Sequence, residues 1–225
     1  MKNNRYTLRA LARLLAYPDA QLRSELSALA DAIDQEAALP AARRAELRTL
    51  ALELQRSAPL DTEARYVETF DRGRATSLHL FEHVHGDSRD RGPAMIDLAQ
   101  TYEKAGLFLG PDELPDHLCV VLEFASTQPA ALAKSFLGEM AHILTAIFSA
   151  LLQRDSPYAA VLAAVLELSG HTAQAVTIAV DEAMDDSWAE PEAFGGCSTR
   201  GQAKPGEAQP IHIVRNTHAA PRVAA

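Results

Sequence analysis

The sequence predicts an all-α fold, a single-domain bundle of roughly nine or ten helices joined by short connections. Three observations lead there. Ala and Leu dominate a chain in which aromatic residues are only 6%, and both are strong helix formers. Apolar residues recur at i, i+3, i+4 and i+7 along most of the length, the spacing of one helix face. No segment shows the alternation of a half-buried strand, and Pro and Gly punctuate the periodic segments.

Leu8, Leu11, Ala12 and Leu15 share one face of a first helix, which Tyr17 and Pro18 stop. Leu22, Leu26, Leu29 and Ile33 repeat the pattern, and Pro40 opens a third helix with Leu47, Leu50, Ala51 and Leu54 in phase. Asp61 is placed as the N-cap of a helix carrying Val67 and Phe70, because its carboxylate can accept from the first free N–H groups. Residues 71–92 lose the period and contain Gly73, Gly86 and Gly92, which predicts a loop with a short helix over 78–85. Met95, Leu98, Ala99 and Tyr102 restore it. Pro93 suits the first turn of that helix, where its missing N–H costs nothing, and Gly106 ends it. Pro115 and Asp116 are placed at the start of the next helix, with Leu118, Val121, Leu122 and Ala125 inward. Pro129 opens the longest predicted helix, with Phe136, Met140, Ile143, Leu144, Ile147 and Leu151 in phase. Pro157 opens another through Val161, Val165 and Leu168, and Val176, Val180 and Ala183 mark the last. After Trp188, Pro191, Gly195, Gly196, Gly201, Pro205, Gly206 and Pro210 break any helix. Residues 1–188 are therefore expected to form the helical domain and 189–225 a flexible, poorly ordered tail.

The formal net charge of −9 argues against a broadly basic nucleic-acid surface. Between Arg154 and Arg200 there is no Lys or Arg, while Asp155, Glu167, Asp181, Glu182, Asp185, Asp186, Glu190 and Glu192 fall there. That pattern is a solvated acidic face or a patch that attracts a basic peptide. Cys119 and Cys197 form neither a metal motif nor a disulfide framework, and Cys119, within H-L-C-V-V-L, reads as a small buried hydrophobe. No apolar stretch approaches the roughly 18 residues of a membrane span. Arg9 and Arg13 interrupt the apolar run near the start, so a secretory signal is not expected and the chain is read as cytoplasmic.

The richest chemistry lies within residues 66–107. His79, His83, His85, Glu82, Asp87 and Asp90 stand there with Arg72, Arg74, Arg89 and Arg91, beside Leu78, Leu80, Phe81 and Val84. One alternative is a metal-dependent hydrolase built on His79, His83 and His85. His79 and His83 are four apart and can share a helix face, but Glu82 precedes the second His instead of following the first, so H-E-x-x-H is absent. His85 falls on another side, and the plainer reading is that these histidines cap or hydrogen-bond. Ser77, Ser88 and Ser126 lack a G-x-S-x-G context, and there is no P-loop or G-x-G-x-x-G. A binding groove is the other reading, with the four apolar residues lining it and the arginines rimming it. Against that, the apolar four are core and the arginines pair with Asp71, Asp87 and Asp90. Asp116 reads as an N-cap and His117 as a first-turn residue, or His117 and Glu123 face the same groove. A generic helical protein-binding adaptor remains a further alternative.

The segment F-D-R-G-R-A-T-S-L-H-L-F-E-H-V-H-G-D-S-R-D-R-G, followed by A-M-I-D-L-A-Q-T-Y-E-K-A-G-L and E-L-P-D-H-L, resembles the NarJ family. These are assembly chaperones of respiratory nitrate reductase, within the wider TorD-like group. The resemblance covers about residues 64–125; the opening R-L-L-A-Y-P-D is similar but weak alone. It implies an all-helical, cytoplasmic, non-enzymatic protein with no stably bound cofactor. Such a protein binds the apo catalytic subunit of the reductase, including its N-terminal segment. It holds that subunit competent for insertion of the molybdenum bis(guanine dinucleotide) cofactor and an iron–sulfur cluster before membrane docking. Cofactor-biosynthesis proteins are candidate further partners; nucleic acid is not expected. The motif positions carried over are Tyr66, Phe70, Asp71, Arg72, Gly73, Glu82, His83, His85, Gly86, Arg89, Asp90, Arg91, Gly92, Pro115, Asp116 and His117. Pro93 departs from the Gln often found in the family, and a Pro fits a helix start. The client-binding set expected is Tyr66, Phe70, Asp71, Arg72, Phe81, Glu82, His83, His85, Arg89, Asp90, Arg91, Asp116, His117 and Glu123. With His83, His85 and His117 at motif positions, client affinity is expected to vary with pH between roughly 5 and 8.

Overall fold

The first helix, α1 (Arg5–Leu14), turns Leu8, Leu11 and Ala12 inward at the predicted spacing, with Leu15 buried just past its end, and packs between α2 (Ala20–Glu36) and α7 (Leu118–Thr127). The computed structural model describes residues 3–177, Asp87 and Asp112 excepted. The predicted tail from 189, Val180 and Ala183 of the last predicted helix, and Cys197 lie outside the described residues. Ten α-helices and one 3-10 turn occur among the described residues, with no strand; an isolated antiparallel bridge joins His79 to His117. The all-α reading is thereby confirmed.

Local chemistry explains several boundaries. The Asp19 carboxylate accepts from the Leu22 N–H at 2.7 Å and starts α2. Arg23 then ties α2 to the end of α3 (Ala41–Arg56), donating to the Leu54 carbonyl at 2.6 Å and the Ser57 carbonyl at 2.8 Å. Helix α4 (Pro59–Phe70) begins two residues before the predicted cap. Pro59 occupies its first position, where a fixed φ and absent N–H are tolerated, and Asp61 is left in the first turn. There its charge still favours the positive end of the helix. A 3-10 turn (Arg74–Thr76) and the six-residue α5 (Leu80–His85) follow, then α6 (Arg91–Lys104).

The longest predicted helix is two helices. α8 (Ala130–Glu139) and α9 (Ala141–Gln153) meet at 69°. The Met140 N–H closes on the Leu137 carbonyl at 3.2 Å, a tightened last turn, and the Met140 carbonyl then accepts from Ile143 and Leu144. Gly138, a poor helix former, lies in that last turn. The apolar period runs through the break because both helices bury it on α10 (Ala159–Ser169). No single described helix is long and apolar enough to cross a membrane; the α8–α9 pair passes that test by length and composition only, across its bend. In α10 every residue from 161 to 166 is fully buried, as an all-round apolar helix should be. Gly170 ends it in a left-handed conformation at φ 86°. The helix expected around Val176 is absent over 171–177, where the Val176 N–H instead bonds the Ser149 hydroxyl on α9 at 3.0 Å.

Candidate functional site

Asp116 organises the site. Its side chain is completely buried, and a buried carboxylate needs partners. It does not cap α7: the His117 ring does so, Nδ1 accepting from the Cys119 N–H at 3.3 Å. Asp116 instead reaches across to α5, accepting from the Phe81 N–H at 3.1 Å and from His79 Nδ1 at 3.4 Å. The Arg91 guanidinium stands 3.7 Å away. Backbone bonds flank this clamp: Leu80 N–H to the Asp116 carbonyl at 3.1 Å, and Leu118 N–H to the Leu78 carbonyl at 2.8 Å. One carboxylate thus caps α5 through space and joins three segments that are remote in sequence.

Above the clamp, the end of α4, the 3-10 turn, α5 and the start of α6 enclose a cleft of about 340 Å³. Phe70, Asp71, Arg74, Ser77, His79, Glu82, Gly86 and Arg91 line it. The Ser77 hydroxyl donates to Glu82 Oε2 at 2.6 Å, and Arg91 pairs with Glu82 Oε1 at 3.3 Å. His83 Nε2 bonds the Ser77 carbonyl at 2.8 Å. His85 stands edge-on to Phe81 at 5.7 Å. The arrangement is a polar, two-signed wall with an apolar end.

Burial works against charge on Asp116, yet hydrogen bonds from His79 and the Phe81 N–H, with the charges of His79 and Arg91, hold its carboxyl below the usual range. His79 is raised, first by its bond to Asp116, against the cost of its own burial. His117, edge-on to His79 at 5.0 Å, is lowered by burial and then by the His79 charge. Of the two rings His79 is the more readily protonated, and His117 accepts through Nδ1 in its neutral form. A raised His contributes stability that is complete below about 6.5 and is lost as pH rises through its folded value; the lowered His117 has the opposite sign. The lowered Asp116 contributes above about 3.9 and loses that only in stronger acid. We expect His79→Gln to flatten the fall in urea midpoint above about pH 6.5, and His117→Gln to remove a fall on the acid side. A His79→Gln profile parallel to the parent above pH 6.5 would contradict this assignment.

The predicted site residues separate into groups. Phe70, Asp71, Glu82 and Arg91 line the cleft. Phe81 and Val84 lie on α5, Phe81 half-buried and Val84 exposed, whereas Leu78 and Leu80 are core. Tyr66 is core as well: its hydroxyl donates to the Leu15 carbonyl at 2.8 Å and its ring packs with Tyr17, Phe70 and Tyr158. It supports the cleft and is not part of its wall. Arg72 is mostly exposed and pairs with Glu68 at 3.2 Å, one turn away, instead of with Asp71. Arg89 and Asp90 are exposed in the turn before α6. Glu123 lies on a different hollow and does not face the cleft. Arg74, Ser77 and His79 were absent from the expected binding set, although all three fall inside the quoted motif. His79, His83 and His85 turn to three different partners, and among the described residues no three His, Cys, Asp or Glu are grouped as metal ligands. Cys119 packs against the core, and burial pushes its thiol up to about 12, away from nucleophilic range.

A family model described as nitrate reductase delta subunit matches residues 19–164, which contain the cleft and its clamp. The chain belongs to that family. As a nitrate reductase delta subunit family member it is 43% identical over 180 residues to NarJ of Escherichia coli K12, the nitrate reductase molybdenum cofactor assembly chaperone, covering 79% of this chain and 76% of that protein. It is also 39% identical over 153 residues to the nitrate reductase-like protein NarX of Mycobacterium tuberculosis, covering 68% of this chain but 22% of that larger protein. Among solved structures, a redox enzyme maturation protein of Archaeoglobus fulgidus superposes with a TM-score of 0.51 at 21% identity, over 72% of this chain and 91% of that one. That likeness supports the helical fold.

Proposed function

We propose that this family member is a dedicated cytoplasmic chaperone that binds the apo catalytic subunit of a respiratory nitrate reductase, its N-terminal segment included. It holds the subunit competent to receive the molybdenum bis(guanine dinucleotide) cofactor and an iron–sulfur cluster, which are cargo for the client. It acts by binding and performs no bond-making chemistry. The observation that carries the reading is the cleft between α4, α5 and α6. It is built from the motif that resembles the NarJ family, and a buried carboxylate beneath it fixes α5.

The physics of the cleft suits a grip that must be released. The apolar end at Phe70 offers surface worth roughly 25 cal/mol per Å² covered, less the cost of ordering the client segment. Glu82, Asp71, Arg74 and Arg91 give orientation and selectivity more than raw affinity. Preorganisation by Asp116 spares the complex the cost of ordering α5 when the client arrives.

Titration calorimetry with the N-terminal peptide of the cognate catalytic subunit tests the reading. Binding at about tens of micromolar or tighter is expected, and Glu82→Arg should weaken it. Absence of heat, together with no competition against the intact apo subunit, would remove the peptide-binding part of the proposal.

A further inference from the structure

Phe108 is 81% exposed, the highest value among the large apolar side chains of the described residues. It sits in L-F-L between Gly106 and Gly110, on the connection that leads from α6 to α7. Beneath it is a second hollow, about 170 Å³, walled by Leu107, Leu109, Val120 and Phe124. The floor is a small core of its own, Leu98, Tyr102 and Phe124, separate from the main one. Tyr102 and Phe124 pack at a tilt of 38° with centroids 4.5 Å apart, Phe124 and Phe136 meet edge-on at 4.9 Å, and the Tyr102 hydroxyl donates to the Pro115 carbonyl at 2.8 Å. The floor is therefore rigid and preformed.

The rim carries charge. Glu113 and Glu123 line the hollow, with Arg9 as the one basic residue. Glu113 accepts only from a neutral donor, the Gly110 N–H at 2.8 Å, and neither carboxylate forms an ion pair among the described residues. Small-molecule sites run to about 300–1,000 Å³, so this hollow has the size of a single large side chain. Two carboxylates against one guanidinium, on a chain of net charge −9, favour a cation beside it.

We propose that this hollow is a protein-docking site: it seats one Leu- to Phe-sized side chain of a partner segment that carries a lysine or arginine next to that anchor. Phe108 closes over the anchor from outside, and Glu113 and Glu123 receive the basic group. The site shares no lining residue with the cleft of Phe70 and Arg91, so it stands or falls apart from the client reading.

The test uses the full 15N-labelled chain and two synthetic amphipathic peptides, one of leucine and lysine, the other of leucine and glutamate. The lysine peptide is expected to bind and to shift the amides of Leu107, Phe108, Leu109 and Val120. Glu113→Lys combined with Glu123→Lys should weaken it about tenfold. The same charge change at Asp61 and Glu139 should leave affinity within about twofold. Phe108→Ala should weaken binding with an unchanged melting temperature, because so exposed a ring contributes little to the core. Equal binding of both peptides, shifts confined to the other cleft, or Phe108-dependent self-association in sedimentation would overturn the proposal.

Discussion

Replacing Asp116 with alanine is expected to cost about 3 kcal/mol of folding stability, because it orphans several groups at once. The Phe81 N–H loses its acceptor, and the His79 proton and the Arg91 guanidinium lose the buried charge that faces them. Asp116→Asn keeps an acceptor for Phe81 but not the charge for His79 and Arg91, so its cost should be about half as large. Urea unfolding at pH 7 gives both values. Amide exchange across α5 and the start of α6 should quicken more than exchange in α10, since the clamp holds the former and has no contact with the latter. If alanine at this position costs less than about 1 kcal/mol, the through-space cap is not what fixes α5.

Tyr66→Ala is expected to cost about 3–5 kcal/mol, the range for losing a large aromatic side chain from a core. The ring packs against Tyr17, Phe70 and Tyr158, and the cavity left would sit directly behind Phe70, at the apolar end of the cleft. Tyr66→Phe keeps the packing and strips only the hydroxyl from the Leu15 carbonyl, so about 1 kcal/mol is expected. Chemical unfolding of the two variants separates packing from the hydrogen bond. Client affinity of Tyr66→Phe should equal that of the parent, because the hydroxyl faces α1's end and not the cleft.

Periodicity made the helices legible, since Leu47, Leu50, Ala51 and Leu54, and then Val161 and Val165, are core at the predicted spacing. The break at Met140 left no trace in that signal: a bend that keeps the apolar phase is invisible to it, and only the i−3 closure reveals it. Of the predicted final helix only the part up to residue 177 is described: after Gly170 ends α10 the chain over 171–177 is not helical, and the Val176 N–H bonds the Ser149 hydroxyl, while Val180 and Ala183 lie outside the described residues.

At the site, residue types announced a cluster but could not say which members face outward. Tyr66 and Asp116 share the motif with Glu82 and Arg91, yet the first two are buried supports. His79 was visible only as a metal-ligand candidate, because its partner lies thirty-seven residues away. Asp116 before a helix looks like an N-cap in any sequence; that it caps another helix depends on the bridge between His79 and His117. Glu123 was assigned to the wrong face because its position along α7 gives no hint of which hollow that helix wall belongs to.

The most direct test of the account is site-specific photo-crosslinking to the apo catalytic subunit in cells making both proteins. A photoreactive residue at Asp71 or at Arg74, both exposed and lining the cleft, should capture the subunit, and one at Leu60 or Leu152 should not. Capture at Leu60 or Leu152 with none at Asp71 or Arg74 would contradict the placement of the client at this cleft.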